Sequence, residues 1–404
     1  MLESFICQNC VADKYLRAEI ISRGDPVPDC PICKRGGGLA LSTDDELLAR
    51  IVRALIRLNF SEWDYNTHLG GMQLRKLVFS SKLIFDYPED ADESAFDAAF
   101  QQIEGMGGWY PQSDEEISLG GGYWDGRVLF GLRAERDRAV ENLVNASLQR
   151  NWHEIEPEAR QLIRSLKNDI TLKLNAGQKY YRGRIGVHSR LKKVFCNPSE
   201  FPFTYLPYSG KDIGHPPMLH ASEGRFNRTR VSILYLASDR ETAVAELRPH
   251  PGHLISTASF RLERDMVVAN FGDLDIRKFL HDDRLRELRT ILSLADILNV
   301  PVQPEHRFLY AATQLIADAV RAEGYNGLIF NSSVAFGFNL VCFDPNDCTV
   351  IASSEEIHEV RSLAYELSAV PALQQDEDES DYIKDEDSPL ATLLHGVSLR
   401  AAPR

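Results

Sequence analysis

No run of about 18 apolar residues occurs in the 404-residue chain, so the sequence offers no membrane-spanning helix. The N-terminal MLESFICQNC lacks a basic segment ahead of an apolar core, and no secretory signal is expected. No G-x-G-x-x-G follows a strand-like run. The glycine runs at 36–38 and 120–122 lack the Lys-Ser/Thr of a phosphate-binding loop, so Rossmann and P-loop readings find no support. His188, His215, His220, His250 and His253 are scattered, and His250-Pro-Gly-His253 is broken by proline. They do not resemble the one-face spacing of HExxH, and no second metal site is expected from them. Positive charge is in deficit, 45 Lys and Arg against 59 Asp and Glu, which argues against non-specific nucleic-acid binding. Half of the net −14 is local, because Asp376–Asp387 holds eight acids and one lysine. Cysteine is sparse too. Seven do not form an even secreted framework, and a reducing cytoplasm is the simplest location.

Four of those cysteines follow a pattern. Cys7-x2-Cys10, nineteen residues, then Cys30-x2-Cys33 is zinc-ribbon spacing, in which each tight turn presents two thiolates to one ion. Four protein ligands leave no open position, so the expected Zn2+ is structural rather than catalytic. Residues 1–40 balance five basic against five acidic residues, which suggests a stabilising or protein-facing module. Cys196, Cys342 and Cys348 lack partner spacing and read as buried small hydrophobes.

From Ser42 to about Asn175 the chain reads as mostly helical. Thr43-x2-Glu46 has the form of a capping box ahead of a helix with Leu47, Leu48, Ile51, Val52, Leu55 and Ile56 on one face. Helices are also expected over Asp137–Glu154 and, after Pro157, over Glu158–Leu174. Between them, Trp109, Tyr110, Tyr123 and Trp124 read as packing aromatics in a glycine-rich stretch.

The chemistry concentrates later. Glu223–Arg248 opens with a Gly-Arg-Phe-Asn turn, continues through the strand-like VSILYLA, and enters a short helix, Thr242–Leu247, with Ser238 and Glu241 as its expected capping pair. Glu246 lies in the last turn, where the helix dipole does not favour a carboxylate, so a chemical role is a reason for its presence. Upstream stands Lys179-Tyr-Tyr-Arg-Gly-Arg184. Downstream stand Asn331-Ser332-Ser333 and Gly337-Phe-Asn-Leu-Val-Cys-Phe343. Further strands are expected near 254–261, 265–271, 327–331 and 338–343, a helix near 307–323, and a long loop over Asn197–His220.

The order of these blocks resembles the RES family, whose members are largely toxins that consume NAD. The resemblance spans roughly Gln178–Asp344. It implies an α+β chain with an ADP-ribosyltransferase-like split β-sheet catalytic domain, preceded by a zinc ribbon and a mostly helical domain. The implied division is a zinc ribbon at 1–40, a helical, HEPN-like region at 41–175, a RES-like domain at 176–352, and an acidic, partly disordered tail at 353–404, with a helix near Glu355–Leu367. Arg182, Glu246 and Ser333 or its neighbour Ser332 would be the catalytic set. Tyr181, Arg182, Arg225, Tyr235, Ser332 and Ser333 would line the NAD site. A basic residue often follows the family's serine, whereas this chain reads Ser333-Val-Ala.

The implied activity is cleavage of the nicotinamide–ribose bond, by water or phosphate, in a toxin or defence effector. The same groups would serve transfer of ADP-ribose to a protein, and without turnover they would make a nucleotide-binding sensor. The N-terminal region is the expected place for a homo-oligomer contact or a regulatory partner. Small members of the family pair with a separate antitoxin, and the longer format here argues against one. Arg150-Asn-Trp-His153 is too short for the RNase motif of HEPN proteins, so RNA cleavage is not expected.

Overall fold

The computed structural model describes residues 4–60, 72–88, 90–107, 118–119, 131–132, 136–194, 203–302, 304–364 and 367. The aromatic stretch with Trp109 and Trp124, Cys196, and the acidic run at 376–387 lie outside them. The chain divides into two compact units. The first takes residues 1–140 and 275–293 with 398–404, and the second takes 141–274 and 294–397.

The first unit opens with a three-stranded antiparallel sheet in the order β1 (Phe5–Cys7), β3 (Gly36–Ser42), β2 (Asp25–Asp29). Helix α1 (Lys14–Arg23) starts where Asp13 accepts from the backbone N–H of Tyr15 and Leu16, both at 2.9 Å. Helix α2 (Glu46–Asn59) buries Leu48, Ile51, Val52, Leu55 and Ile56, as its periodicity requires. Its cap is Asp45, which accepts from Leu48 N–H at 2.8 Å, while Thr43 instead bonds Gln102 at 2.6 Å. The acid two residues closer to the helix wins because a carboxylate is the stronger acceptor at a positive helix end. The unit continues with α3 (Leu74–Ser81), the two-residue strand pair β4 (Met72–Gln73) and β5 (Ser118–Leu119), and α4 (Glu93–Gly107). Phe79, Phe85, Tyr87, Phe96 and Phe100 stack here at centroid distances of 5.0 to 5.9 Å. A late segment, 275–293, also belongs to this unit. Its Arg277 pairs with Glu19 at 2.8 Å, and its Asp282 with Arg57 at 2.6 Å.

Helix α5 (Arg138–Gln149) stops before α6 (Trp152–Ser165), where a single helix over Asp137–Glu154 is expected from sequence. Pro157 lies inside α6 rather than ahead of a new helix, and the expected helix to Leu174 ends early, in α7 (Lys167–Ile170) and strand β6 (Thr171–Leu174). A nine-stranded mixed sheet organises the second unit. It also contains β7 (Lys179–Ile185), β10 (Leu234–Ala237), β11 (Leu254–Leu262), β12 (Met266–Asn270), β13 (Gly327–Asn331), β14 (Phe338–Cys342), β15 (Cys348–Val350) and β16 (Glu356–Glu359). The order is β15-β11-β7-β10-β14-β13-β12-β6, with β16 also pairing β11. All pairs are antiparallel except β12 with β13, which are separated in sequence by α9 (Leu285–Asn299) and α10 (Tyr310–Ala322). Strand β16 stands where a helix is expected at Glu355–Leu367, because pairing to Leu254–Thr257, about a hundred residues away, overrides local propensity. The expected loop at 197–220 contains β9 (Phe203–Leu206), which pairs with β8 (Ser189–Lys192) in a separate two-stranded ribbon.

One face of the large sheet buries Tyr180, Leu234, Leu236, Ala258, Phe260, Val268, Leu340 and Cys342 in a continuous core. Cys342 and Cys348 are both buried there with sulfurs 3.3 Å apart. Helix α10 packs on α6, and its end is tied by Glu323, which accepts from Arg164 at 2.8 Å and Arg160 at 2.9 Å. These bonds, Arg164's first, hold the Glu323 carboxyl down to about 2, against an ordinary value of 4.5. A depressed carboxyl stabilises the fold fully above its unfolded value, and this contribution is lost as pH falls from about 4.5 towards 2. Glu323→Gln should therefore lower the urea midpoint measurably at pH 7 and leave little difference from wild type near pH 2.

Candidate active site

Helix α8 (Arg240–Ala245) follows β10 after one turn. Its cap is Asp239, not Ser238. The Asp239 carboxylate accepts from Thr242 N–H at 2.7 Å and Thr242 Oγ1 at 2.8 Å. Ser238 supports it, donating to Asp239 at 2.6 Å and accepting from Phe338 N–H at 3.1 Å. Two glycines permit this packing. A Cβ on Gly183 would stand 3.0 Å from the Ala243 carbonyl, and one on Gly337 only 2.3 Å from Asp239 and Thr242. Those contacts explain the glycines of the YRG and GFN blocks. Each lets a strand or turn touch α8 directly.

The helix delivers Glu246 at its C-terminal cap. Glu246 Oε1 accepts from Ser332 Oγ and from Asn339 Nδ2, both at 2.7 Å. Among the described residues no hydrogen bond reaches Oε2. Ser332 is itself fixed, since its hydroxyl accepts from Val334 N–H at 3.2 Å and Ala335 N–H at 3.1 Å. Ser333 is the next residue of the same turn. Asn339 is buried on β14 opposite Ala237. It does not stand among the residues marked by sequence, although it is the lone polar side chain in the strand FNLVC, and a buried amide needs a partner.

The Gly224–Asn227 turn forms the second wall. Asn227 is buried, donates to the carbonyls of Ser222, Arg228 and Val231 at 2.9 to 3.2 Å, and accepts from Tyr235 OH at 3.0 Å. Tyr235 OH in turn accepts from Phe226 N–H at 3.0 Å. Burial pushes the Tyr235 phenol upward, against the opposing pull of the Phe226 N–H bond and the Arg225 charge. Tyr235 is thus a strut for the turn. From α10, Gln314 donates to the Gly224 carbonyl at 2.9 Å, and Thr313 bonds the Arg225 carbonyl. The backbone of Arg225 is therefore pinned, yet its Nε and Nη2 are shielded from water and, among the described residues, have no hydrogen-bond partner. The guanidinium lies 5.8 Å from the Phe330 ring and 5.9 Å from that of Phe226. Burial pushes its pKa down, while Tyr310 and Glu246 pull it back up. Glu246 and Arg225 thus share one electrostatic neighbourhood. A buried cation with two idle donors is costly unless an acceptor arrives.

Arg182 sits differently. Strand alternation sends Tyr181 and Gly183 towards α8, where Arg240 lies 5.4 Å over the Tyr181 ring. Arg182 fills the gap where β7 and β10 part beyond the Tyr181–Ala237 pair. It donates to the carbonyls of Tyr235 at 2.8 Å and Ile213 at 2.9 Å, and burial brings it down to about 10. It joins the group through the Tyr235 backbone.

In the first unit, Cys7, Cys10, Cys30 and Cys33 are buried with all four sulfurs within 4.8 Å of one another. Three sulfur pairs measure 3.5, 3.6 and 3.5 Å, close to the about 3.8 Å edge of a tetrahedron with metal–sulfur bonds of about 2.3 Å. Bonds from the Cys10 and Cys7 thiols pull Cys30 down, helped by the backbone N–H groups of Cys33 and Ile32. Lys34 takes a positive φ of 56° and donates its N–H to the Cys30 carbonyl at 3.0 Å, which closes the second turn around the sulfurs. The donor set fits a soft, tetrahedral metal ion.

Residues 198–367 match the family model of the RES domain. Arg225, Tyr235, Glu246, Ser332, Ser333 and Asn339 fall inside that range, and Tyr181 and Arg182 precede it. A solved structure from M. tuberculosis, the MbcT-MbcA toxin-antitoxin complex, aligns over 50% of this chain and 92% of its own, with 10% identity and a TM-score of 0.28. No curated protein matches the chain.

Proposed function

For a chain that carries a RES domain at residues 198–367, we propose NAD cleavage at the nicotinamide–ribose bond as the activity, in a toxin-like role. One observation carries it. A carboxylate fixed by two 2.7 Å hydrogen bonds stands in the same neighbourhood as a buried guanidinium with two idle donors. The reaction develops positive charge on the ribose, and an ionised carboxylate stabilises it, as in glycoside hydrolysis. Glu246 takes that role. Ser332 and Asn339 orient it by occupying one oxygen, which leaves the other for the ribose hydroxyls. Arg225 takes a pyrophosphate oxygen pair in its planar fork. Arg182 and Tyr235 hold the walls apart and together, and Ser333 extends the ligand-facing turn. The electron pair of the broken bond leaves with nicotinamide, and water or phosphate adds to the ribose.

The four-cysteine cluster is proposed to hold Zn2+, which cross-links the N-terminal sheet and takes no part in this chemistry.

The assignment of the phosphate to Arg225 is tested by Arg225→Lys. Lysine keeps the charge but loses the fork, and NAD affinity should fall ten- to a hundredfold, about 1.5–3 kcal/mol, in calorimetric titration. Unchanged affinity would remove Arg225 from the site.

A further inference from the structure

We infer that Cys342 and Cys348 are a redox couple, which hydrogen peroxide oxidises to a disulfide that ties β14 to β15. Both are free, buried thiols with sulfurs 3.3 Å apart. Strand pairing does not bring them together. Cys342 ends β14 and Cys348 begins β15, and in the sheet order β10, β7 and β11 stand between those strands. In a flat sheet four strand spacings would hold them roughly 19 Å apart. The sheet therefore curls until β15 meets β14, and the two sulfurs meet in its core among Leu234, Phe260 and Leu262.

The approach is fixed from both sides. Only residues 343–347 join the two cysteines. Phe343 N–H bonds the Asn326 carbonyl at 3.0 Å, and Glu263 N–H bonds that of Asp347 at 2.9 Å. Arg264 holds the buried Asp347 carboxylate through both oxygens, at 2.6 and 2.8 Å. Cys348 itself pairs with Leu262 of β11. Bond formation thus moves two side chains and leaves the strand pairing in place, and a thiol held ready beside its partner reacts as an intramolecular group.

The two thiols differ. Contact with Cys348, and then burial, pushes the Cys342 thiol upward, so Cys342 keeps its proton. Cys348 is the attacking group, being 6% exposed where Cys342 is 0%, on the strand that ends the sheet order. Its sulfur takes one peroxide oxygen and becomes a sulfenic acid. The O–O bond breaks, and hydroxide leaves to become water with the proton that Cys348 gave up. The Cys342 sulfur then attacks the Cys348 sulfur, the S–O bond breaks, and the oxygen leaves as water with the Cys342 proton. Two thiols and one hydrogen peroxide give one disulfide and two waters, the two electrons passing from sulfur to oxygen. A reducing compartment keeps the pair as thiols, and peroxide makes the link. This inference does not depend on the NAD reading.

Peroxide treatment of the folded full chain, then alkylation in denaturant and peptide mass analysis, tests it. Trypsin leaves both cysteines on one peptide, 322–361, so they are read apart from the N-terminal four. In wild type this peptide should lose both alkylation sites and regain them with dithiothreitol. Cys342→Ser should leave Cys348 as a sulfenic acid that dimedone captures. Where that variant fails to fold, the wild-type peptide still decides. A short end strand opens locally, and the link should slow hydrogen exchange of the β15 amides at least tenfold. Full alkylation of both thiols after peroxide overturns the proposal, as does oxidation of each without a link. Equal β15 exchange in linked and reduced protein overturns it too.

Discussion

Glu246→Gln should lower the rate of nicotinamide release from NAD by about a thousandfold or more, some 4 kcal/mol at 1.4 kcal/mol per decade. The substitution is chosen for what it preserves. Both bonds to Glu246 end on Oε1, donated by Ser332 and Asn339, and a glutamine oxygen accepts both without rearrangement. The fold and the orientation survive while the charge is lost, so the effect reads electrostatic stabilisation of the ribose cation alone. Thermal stability should be nearly unchanged. Glu246→Ala is a poorer probe because it strands the buried Asn339 amide, at about 1–3 kcal/mol of stability. A Gln variant that retains a tenth or more of wild-type turnover would mean that Glu246 is not the stabilising carboxylate.

Removal of the metal should unfold the start of the chain. The sheet β1-β3-β2 offers a small core, and domains below about 40 residues usually need a metal, disulfide or partner. Zinc binding to such sites supplies about 10–16 kcal/mol, far more than a few hydrogen bonds of this sheet. The loss should spread, because Ala12 N–H bonds the Ile84 carbonyl at 2.9 Å and Asp86 N–H bonds the Cys10 carbonyl at 3.0 Å. Those contacts couple the cysteine turns to the Phe85–Tyr87 aromatic cluster. We expect one zinc per chain by elemental analysis. Chelation or Cys30→Ser should abolish the low-temperature part of the melting curve and expose the residues of the first unit to protease. A melting curve indifferent to chelator would show that the cluster is not a structural metal site.

Much of this was legible in the sequence where local pattern and tertiary context agree. The CxxC pairs predict the sulfur cluster, and the apolar period of 307–323 predicts α10, which begins three residues later at Tyr310. The GLIFN and FNLVC runs predict β13 and β14. Legibility failed where a distant partner decides. Glu356–Glu359 has helical composition and becomes a strand because β11 offers it an edge. The proline-rich stretch before His220 hides β9, whose partner β8 alone defines it. Cap positions slipped by one or two residues because Thr43 and Ser238 fit the pattern while Asp45 and Asp239 supply stronger acceptors. At the site, Glu246, Arg225 and Ser332 were visible as residues. The Asn339 contact was not, because it depends on how β14 registers against β10. Nor could sequence show that Arg182 is held by two backbone carbonyls in the gap between strands.

Cleavage of NAD at Glu246 is tested most directly by product analysis. Full-length, zinc-loaded protein would be incubated with NAD, with and without phosphate, and nicotinamide and the ADP-ribosyl product quantified together. The account predicts one nicotinamide released per NAD lost, abolished in Glu246→Gln, with the phosphate arm identifying the group that adds to the ribose. Intact NAD in the presence of folded protein that binds it would contradict the account and leave a nucleotide-binding module.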